Sequence, residues 1–241
     1  GVLVHVAAWS SSFEFVTCSC CCFSPRRWKL LQSRSNVRMV VGLTIADIKA
    51  VGGAICVIEA DCGERVGTGF LAVFSSQLPG LLCLVTCRHV LPSEEACATA
   101  TCTFEELGRP SHNITLLPSR GFIVEAPPLD LAIVRVGAVA ALLSMHRPFV
   151  LSLEHAAGPK VNEPLCIRGY RKGRELIEIQ AASLGCAAES VNLLAYRVEG
   201  PEALARGVSG APVVSAEDGR VVAVHMGLDR DTNDGRATLL S

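Results

Sequence analysis

The sequence predicts an all-β protein, and three observations lead to that prediction. Apolar residues make up 50% of the 241 residues and charged residues 19%, which excludes disorder over most of the chain. From about residue 54 onward, short apolar runs rich in Val, Ile and Leu alternate with turn-forming residues. No helical periodicity connects these runs. An antiparallel barrel or sandwich is therefore the predicted architecture.

One short helix and twelve strands are predicted in order along the chain. Thr44 and Asp47 have the spacing of a capping box, so LTIADIKA is predicted as a helix that ends at Gly52. Turn signals such as Asp218 with Gly219 separate the strands. The predicted strands are AICVIEAD, GTGFLAVF, LLCLVTC, ATATCTFEEL, GFIVEAP, LAIVRV, PLCIRGY, LIEIQAASL, LLAYRVEG, APVVSA, RVVAVHMG and RATLLS.

Residues 1–39 differ in character from the rest of the chain. They begin with the apolar string GVLVHVAAW and continue through a crowded cysteine cluster, Cys18–Cys22, to the basic string SPRRWK. Cysteines beside basic residues are typical of lipid modification and membrane contact. A secretory signal would place its positive charge before the apolar stretch instead. We favour the alternative that this segment is a disordered extension that joins no core.

Charge and cysteine usage limit the function classes. The formal net charge is −1, without the basic surplus typical of nucleic-acid-binding proteins. No run of 18 charge-free apolar residues predicts a membrane span. Eight of the twelve cysteines are scattered outside the N-terminal cluster, several inside apolar runs, without the paired spacing of a structural zinc site. This usage favours an intracellular, reducing compartment over a disulfide framework.

Three short strings carry residues suited to nucleophilic catalysis. His89 follows an apolar run, Asp130 precedes another, and Ser209 lies between Gly207 and Gly210 in the string GVSGAP. Each string alone also fits a structural role. A serine hydroxyl needs a neighbouring base to become a nucleophile, and a carboxylate can orient an imidazole base. The chain order His, Asp, Ser is that of chymotrypsin-type enzymes, so the combination predicts a catalytic triad.

With these strings the chain resembles the trypsin-like serine peptidases of the chymotrypsin fold, and within them the intracellular or HtrA-like branch. The resemblance covers about residues 52–241 and is carried by GTGF, TCRHV, DLA, GY and GVSGAP. It implies two antiparallel six-stranded β-barrels with the active site in the cleft between them. The first barrel, over residues 40–150, would carry His89 and Asp130. The second, over residues 151–241, would carry Ser209.

The resemblance also implies the reaction. A serine endopeptidase of this type cleaves peptide bonds through an acyl-enzyme intermediate, with the N–H groups of Gly207 and Ser209 forming the oxyanion hole. It needs no metal or organic cofactor, and its partner is a protein or peptide substrate. The alternative function is a catalytically silent, trypsin-like binding module. The sequence does not establish the oligomeric state.

Residues around the nucleophile imply a substrate pocket. Trypsins carry an Asp six residues before the nucleophile, and Ala203 stands there instead, so cleavage after Lys or Arg is not expected. The string AVHMG, with His225 and Gly227, resembles the His-containing strand of glutamyl endopeptidases and picornaviral chymotrypsin-like proteases. In those enzymes the His hydrogen-bonds an acidic or amide substrate side chain, and Arg206 would add positive potential. In the alternative, His225 fills the strand end beside a small apolar pocket.

Overall fold

The described part of the chain is almost entirely antiparallel β-structure. The computed structural model describes residues 54–60, 65–74, 82–104, 112–125, 129–137, 149–151, 158–171, 175–187, 190–198, 206–229 and 234–240. All of them belong to one compact unit spanning Val41–Ser241. The helix predicted after Thr44 and the cysteine cluster near residue 20 lie outside the described residues.

The first sheet contains eight strands in the order β5-β4-β1-β2-β3-β7-β6, with β8 pairing in parallel with β2. All other pairings in this sheet are antiparallel. The strands are β1 Ile55–Ala60, β2 Arg65–Phe74, β3 Leu82–Thr86, β4 Thr101–Phe104, β5 His112–Ile114, β6 Phe122–Glu125, β7 Leu131–Arg135 and β8 Phe149–Leu151.

The second sheet closes into a six-stranded barrel in the order β10-β11-β14-β13-β12-β9. Its strands are β9 Pro164–Arg171, β10 Glu175–Ala187, β11 Ser190–Val198, β12 Pro212–Ser215, β13 Val221–Leu228 and β14 Gly235–Leu239. Together with the first sheet, it confirms the predicted all-β, chymotrypsin-like fold class. The turn at Asp218 and Gly219 joins β12 to β13, and Gly219 takes the left-handed backbone conformation at φ 72°.

The structure corrects the predicted strand ATATCTFEEL. Glu94–Thr99 form a helix, α1, and the strand that follows it is β4 alone. The Ser93 side chain accepts a hydrogen bond from the Ala96 N–H at 3.3 Å, and two glutamates occupy the first turn. An N-terminal Ser cap and acidic residues at the positive end of the helix stabilise a helical turn. This local signal outweighs the β-like composition of the alternating Thr and Ala residues.

Burial explains why these segments form strands and how the two sheets meet. Strand β3 is buried at every position, so its sequence does not alternate between apolar and polar residues and is apolar up to Thr86. Tyr170, Val214 and Val224 of the second sheet pack into the same apolar core as the strands of the first. A second cluster, including Tyr196, fills the closed barrel. The shared core holds the facing edges of the two sheets together, and the sequence-predicted catalytic residues lie there.

Candidate active site

A histidine–aspartate pair lies at one edge of the first sheet. Strands β3 and β7 are antiparallel neighbours, with Thr86 opposite Ala132, so the residues just after β3 meet those just before β7. Asp130 therefore reaches His89 with both carboxylate oxygens. The His89 N–H donates to Oδ1 at 2.9 Å, and His89 Nδ1 lies 2.5 Å from Oδ2. The two contacts fix both the loop and the imidazole ring.

The electrostatics of this pair suit a base that is oriented by a carboxylate. Burial opposes ionisation of Asp130, but the hydrogen bonds and charge of His89 outweigh it and lower the pKa of this carboxyl. The Asp130 side chain is 18% exposed and the His89 side chain 51% exposed. Because Nδ1 faces the carboxylate, Nε2 is the ring nitrogen left for proton transfer.

A glycine turn presents Ser209. Gly207 and Gly210 both have left-handed backbone conformations, at φ 103° and 92°. A Cβ on Gly210 would lie 2.0 Å from the Thr68 carbonyl oxygen and 2.2 Å from Thr86 Oγ1. Contacts this short do not occur between real Cβ atoms and their neighbours, so only glycine fits. The tight turn therefore brings Ser209 against β2 and the end of β3.

Thr68 of β2 is the hydrogen-bonding centre that joins the two sheets at this point. It is fully buried, and its N–H donates to the Ser209 carbonyl at 2.8 Å. Its Oγ1 donates to the Gly207 carbonyl at 2.8 Å and accepts from the Tyr170 N–H at 2.9 Å. Its carbonyl accepts from Thr86 Oγ1 at 2.7 Å. Thr68 belongs to the GTGF string, but the sequence around it predicts no such role.

The Ser209 hydroxyl does not bond to His89 in this structure. Ser209 Oγ donates to the Met226 carbonyl of β13 at 3.0 Å, and within the described residues no hydrogen bond joins it to the imidazole. The N–H groups of Gly207 and Ser209 donate no hydrogen bond to any described residue. The structure thus assembles the His–Asp pair and the serine turn, with the hydroxyl resting on the neighbouring strand.

The predicted pocket residues have different surroundings. Ala203 lies outside the described residues, and Arg206 is exposed at the start of the serine turn. Gly227 is half-buried, and a Cβ built there would meet nothing within 4 Å. His225 is only 2% exposed, and its Nδ1 is hydrogen-bonded to the Tyr196 hydroxyl of β11. Tyr196 is not predictable from the sequence, because nothing in its own string, LLAYRV, points to a partner 29 residues away.

Cys87 lies beneath the His–Asp pair. It is fully buried, and its Sγ donates to the His225 carbonyl at 3.1 Å. Burial, reinforced by the charge of Asp130, raises the pKa of the Cys87 thiol, so the group stays protonated. The possible ligand atoms of Cys87, His89 and Asp130 lie within 4.8 Å of one another, and among the described residues this is the one group able to hold a metal. His89 and Asp130 are already bonded to each other, as a catalytic pair requires.

Comparison with known sequences identifies the family. The sequence model of the trypsin-like peptidase domain matches residues 67–224, from β2 to β13. The chain belongs to the trypsin-like peptidase family. This trypsin-like peptidase is therefore a serine-type endopeptidase that acts on proteins or peptides, as the sequence analysis expected. No curated protein sequence matches it significantly.

Solved structures share the fold of this trypsin-like peptidase at low sequence identity. The active form of the Rv3671c protease from M. tuberculosis has a TM-score of 0.55 and 18% identity, over 80% of this chain and 78% of that one. Deg5 has a TM-score of 0.55 and 16% identity, over 78% and 85%. A serine endoprotease from Yersinia pestis has a TM-score of 0.53 and 13% identity, over 80% and 60%.

None of the described helices has the length and apolarity that a membrane span requires.

Proposed function

We propose that this peptidase cleaves peptide bonds through His89, Asp130 and Ser209 by way of an acyl-enzyme. The observation that carries the proposal is the double hydrogen bond from His89 to Asp130, beside a glycine turn that Thr68 ties to the same sheet edge. The arrangement supplies a nucleophile, a base and an orienting carboxylate from three different segments of the chain.

The chemistry follows from which ring nitrogen is occupied. With Nδ1 held by Asp130, His89 Nε2 accepts the Ser209 hydroxyl proton as Oγ attacks the carbonyl carbon of the substrate. Nε2 then gives that proton to the leaving amine nitrogen as the C–N bond breaks, which leaves an acyl group on Oγ. Water repeats the sequence and releases the acid. Asp130, ionised at neutral pH because its pKa is lowered, stabilises the imidazolium in both halves.

Substrate binding would release Ser209 from its resting partner. The Met226 carbonyl that holds Oγ belongs to β13, at the point where the strand passes the nucleophile. An extended substrate lying along β13 would donate a backbone N–H to that carbonyl, as an added strand does. Ser209 Oγ would then be free to turn about its Cα–Cβ bond into another staggered position and reach Nε2. The resting hydrogen bond thus couples activation of the nucleophile to occupancy of the cleft.

The oxyanion hole uses backbone donors of the glycine turn. The Gly207 and Ser209 N–H groups have no acceptor among the described residues, so both are available to an oxyanion. A tetrahedral intermediate would place its oxyanion there. Removal of one such donor typically lowers kcat by roughly 10²–10³. A silent binding module is the weaker alternative, since the described site retains the catalytic His, Asp and Ser and both glycines.

We also propose a reducing, intracellular site of action. The described cysteines outside the N-terminal cluster are all free thiols, and six of the seven are buried. They are Cys56, Cys83, Cys87, Cys97, Cys102, Cys166 and Cys186. Buried thiols of this kind pack as small apolar side chains. Lipid modification near Cys20 lies outside the described residues and stays a prediction, as does the absence of a nucleic-acid partner.

Single substitutions in the triad test the mechanism. Ser209→Ala and His89→Ala should each abolish peptide hydrolysis. Asp130→Asn should lower kcat by roughly 10⁴, because an amide at that position holds the wrong imidazole tautomer. Asp218→Asn is the matched control, since Asp218 is an exposed carboxylate bonded to Arg220 in the β12–β13 turn. Near-full activity in Asp130→Asn would remove Asp130 from the triad.

A further inference from the structure

We propose that Thr68 is a positioning residue for the oxyanion hole, because its hydroxyl holds the peptide between the two backbone donors of the serine turn, residues 207–210. The proposal rests on the proposed function and goes beyond it. It gives a side chain of the first sheet a part in the chemistry of a turn that leads into the second. Thr68 does not touch the substrate and acts through the N–H groups of Gly207 and Ser209.

The peptide that links Gly207 to Val208 needs an anchor from outside the turn. It lies in the chain between the two proposed donors. Gly207 has no side chain, and its φ of 103° is in a region that glycine enters readily, so the residue itself does little to restrict rotation of this peptide. Because a peptide group is planar, the direction of the Gly207 carbonyl sets the orientation of the whole link. Holding that carbonyl therefore holds the two donors at one angle to each other.

Three consecutive carbonyls of the serine turn accept hydrogen bonds, and Thr68 donates two of these. The Val208 carbonyl accepts from the Ala211 N–H at 2.9 Å, and the Ser209 carbonyl accepts from the Thr68 N–H at 2.8 Å. The Gly207 carbonyl accepts from Thr68 Oγ1, also at 2.8 Å. Of the three bonds, the one to Gly207 is made by a side chain. A substitution can therefore remove it while the other two remain.

The direction of the Thr68 hydroxyl is fixed by its second hydrogen bond. Oγ1 accepts from the Tyr170 N–H of β9 at 2.9 Å, and an amide N–H can only donate. The single hydroxyl proton is thus directed to the Gly207 carbonyl. Thr68 is fully buried, so solvent does not compete for either bond. A donor held on both sides before the reaction needs no rearrangement when negative charge develops on the substrate.

Gly169 of β9 allows the strand to approach both the hydroxyl and the serine turn. A Cβ at this position would lie 3.1 Å from Thr68 Oγ1, 3.0 Å from Val208 Cγ1 and 2.9 Å from Ala211 Cβ. These distances are shorter than ordinary van der Waals contacts of a Cβ, so a side chain here would push β9 away from the turn. The hydroxyl thus bridges two closely packed backbone segments, which lets it set the position of the Gly207 carbonyl.

Thr68→Val tests the hydroxyl separately from the backbone. Valine has nearly the shape of threonine and keeps the backbone bonds to the Ser209 carbonyl and Thr86 Oγ1. We expect kcat for a peptide substrate to fall roughly 10–10²-fold with KM little changed. Removal of a whole oxyanion donor costs roughly 10²–10³ in kcat, and here both donors remain but are misaligned. Thr68→Ser keeps the hydroxyl and should retain most of the wild-type kcat.

A peptide trifluoromethyl ketone reports the oxyanion hole directly. Ser209 Oγ forms a bond to its carbonyl carbon, the Oγ proton passes to His89 Nε2, and the π electron pair moves to the carbonyl oxygen, which becomes an oxyanion. Donors that face this oxygen favour its ionised form. Titration followed by ¹⁹F NMR should show the hemiketal ionising at a pH about one unit higher in Thr68→Val than in the wild type, a tenfold loss of oxyanion stabilisation. Thr68→Ser should titrate as the wild type does.

Thr103→Val is the matched control. Thr103 of β4 is 5% exposed, and its hydroxyl donates to Asn113 Oδ1 at 2.8 Å, so the variant loses a similar bond away from the serine turn. Urea unfolding should show a loss of stability, while kcat and the hemiketal titration stay unchanged. Should Thr68→Val not fold, Thr68→Cys takes its place, because a thiol is a weaker donor of similar size. It should then show a lower kcat and a higher hemiketal titration midpoint than Thr68→Ser.

The outcomes distinguish this proposal from the one beneath it. A folded Thr68→Val variant with the kcat and hemiketal titration of the wild type would overturn the role of the hydroxyl and leave the triad standing. So would a loss that Thr68→Ser shares in full, or one that raises KM alone. Folded wild-type protein that neither cleaves any peptide nor reacts with a fluorophosphonate would overturn both.

Discussion

Gly210→Ala should damage both stability and catalysis, because the turn that presents Ser209 has no room for a methyl group. The added Cβ would lie 2.0 Å from the Thr68 carbonyl oxygen and 2.2 Å from Thr86 Oγ1, and φ at this position is 92°. Backbone and hydroxyl must both move, because neither contact is with the flexible end of a long side chain.

The magnitude has two parts. A non-glycine residue held in a sparsely populated backbone conformation costs about 1–3 kcal/mol. Breaking the 2.7 Å hydrogen bond from Thr86 Oγ1 to the Thr68 carbonyl removes about 0.5–1.5 kcal/mol more. We therefore expect the free energy of unfolding to fall by about 2–4 kcal/mol, a large share of the roughly 5–15 kcal/mol typical of a domain. Thr68 also holds the Ser209 carbonyl, so a displacement of about 1 Å should lower kcat/KM about 10²-fold.

Urea unfolding followed by fluorescence or circular dichroism measures this effect, with Gly227→Ala as the control. Gly227 has no positive φ, and a Cβ there meets nothing within 4 Å, so that variant should unfold within about 1 kcal/mol of the wild type. Equal stability losses in the two variants, or an unfolding midpoint for Gly210→Ala that matches the wild type, would refute the packing argument.

Two further predictions concern titration and thiols. His225 has a pKa of about 3 in the folded protein against 6.5 for an ordinary His, so the unfolded chain takes up the proton first as pH falls. This group should therefore lower the free energy of unfolding by about 1.4 kcal/mol for each pH unit from pH 6.5 toward pH 3. Urea unfolding between pH 7 and 5 should show a smaller dependence of that free energy on pH in His225→Gln than in the wild type. Thiol titration of protein denatured without reductant should find the seven described cysteines free, whereas several disulfides among them would contradict the reducing compartment.

The residues of the proposed triad could be named from the sequence because each belongs to a short local string. Glycines on both sides of Ser209 indicate a tight turn, and the structure shows the left-handed backbone that this turn requires. His89 and Asp130 each border an apolar run, and adjacent strands place such ends together. The order of these motifs along the chain predicted the fold class for the same reason, because each motif is a local pattern in the sequence. Closure of the barrel is a property of that fold class.

The remaining features depend on contacts between distant segments. Tyr196 meets His225 only because β14 lies between β11 and β13 in the barrel, and strand order is not encoded in any single string. In the sequence, Thr68 has only the features of an ordinary β-strand residue, because its hydrogen-bond partners come from a distant part of the chain. Helix α1 was missed for the opposite reason, since its local signal at Ser93 was present and the surrounding β-like composition concealed it.

The central claim is that Ser209 is an activated nucleophile, and reaction with a fluorophosphonate probe tests it most directly. Intact-mass and peptide mass spectrometry should find one adduct, on Ser209, in folded protein, and none in Ser209→Ala or after unfolding. His89→Ala should react far more slowly, because it lacks the base. Folded wild-type protein that takes up no probe, or an adduct that persists in Ser209→Ala, would contradict the assignment.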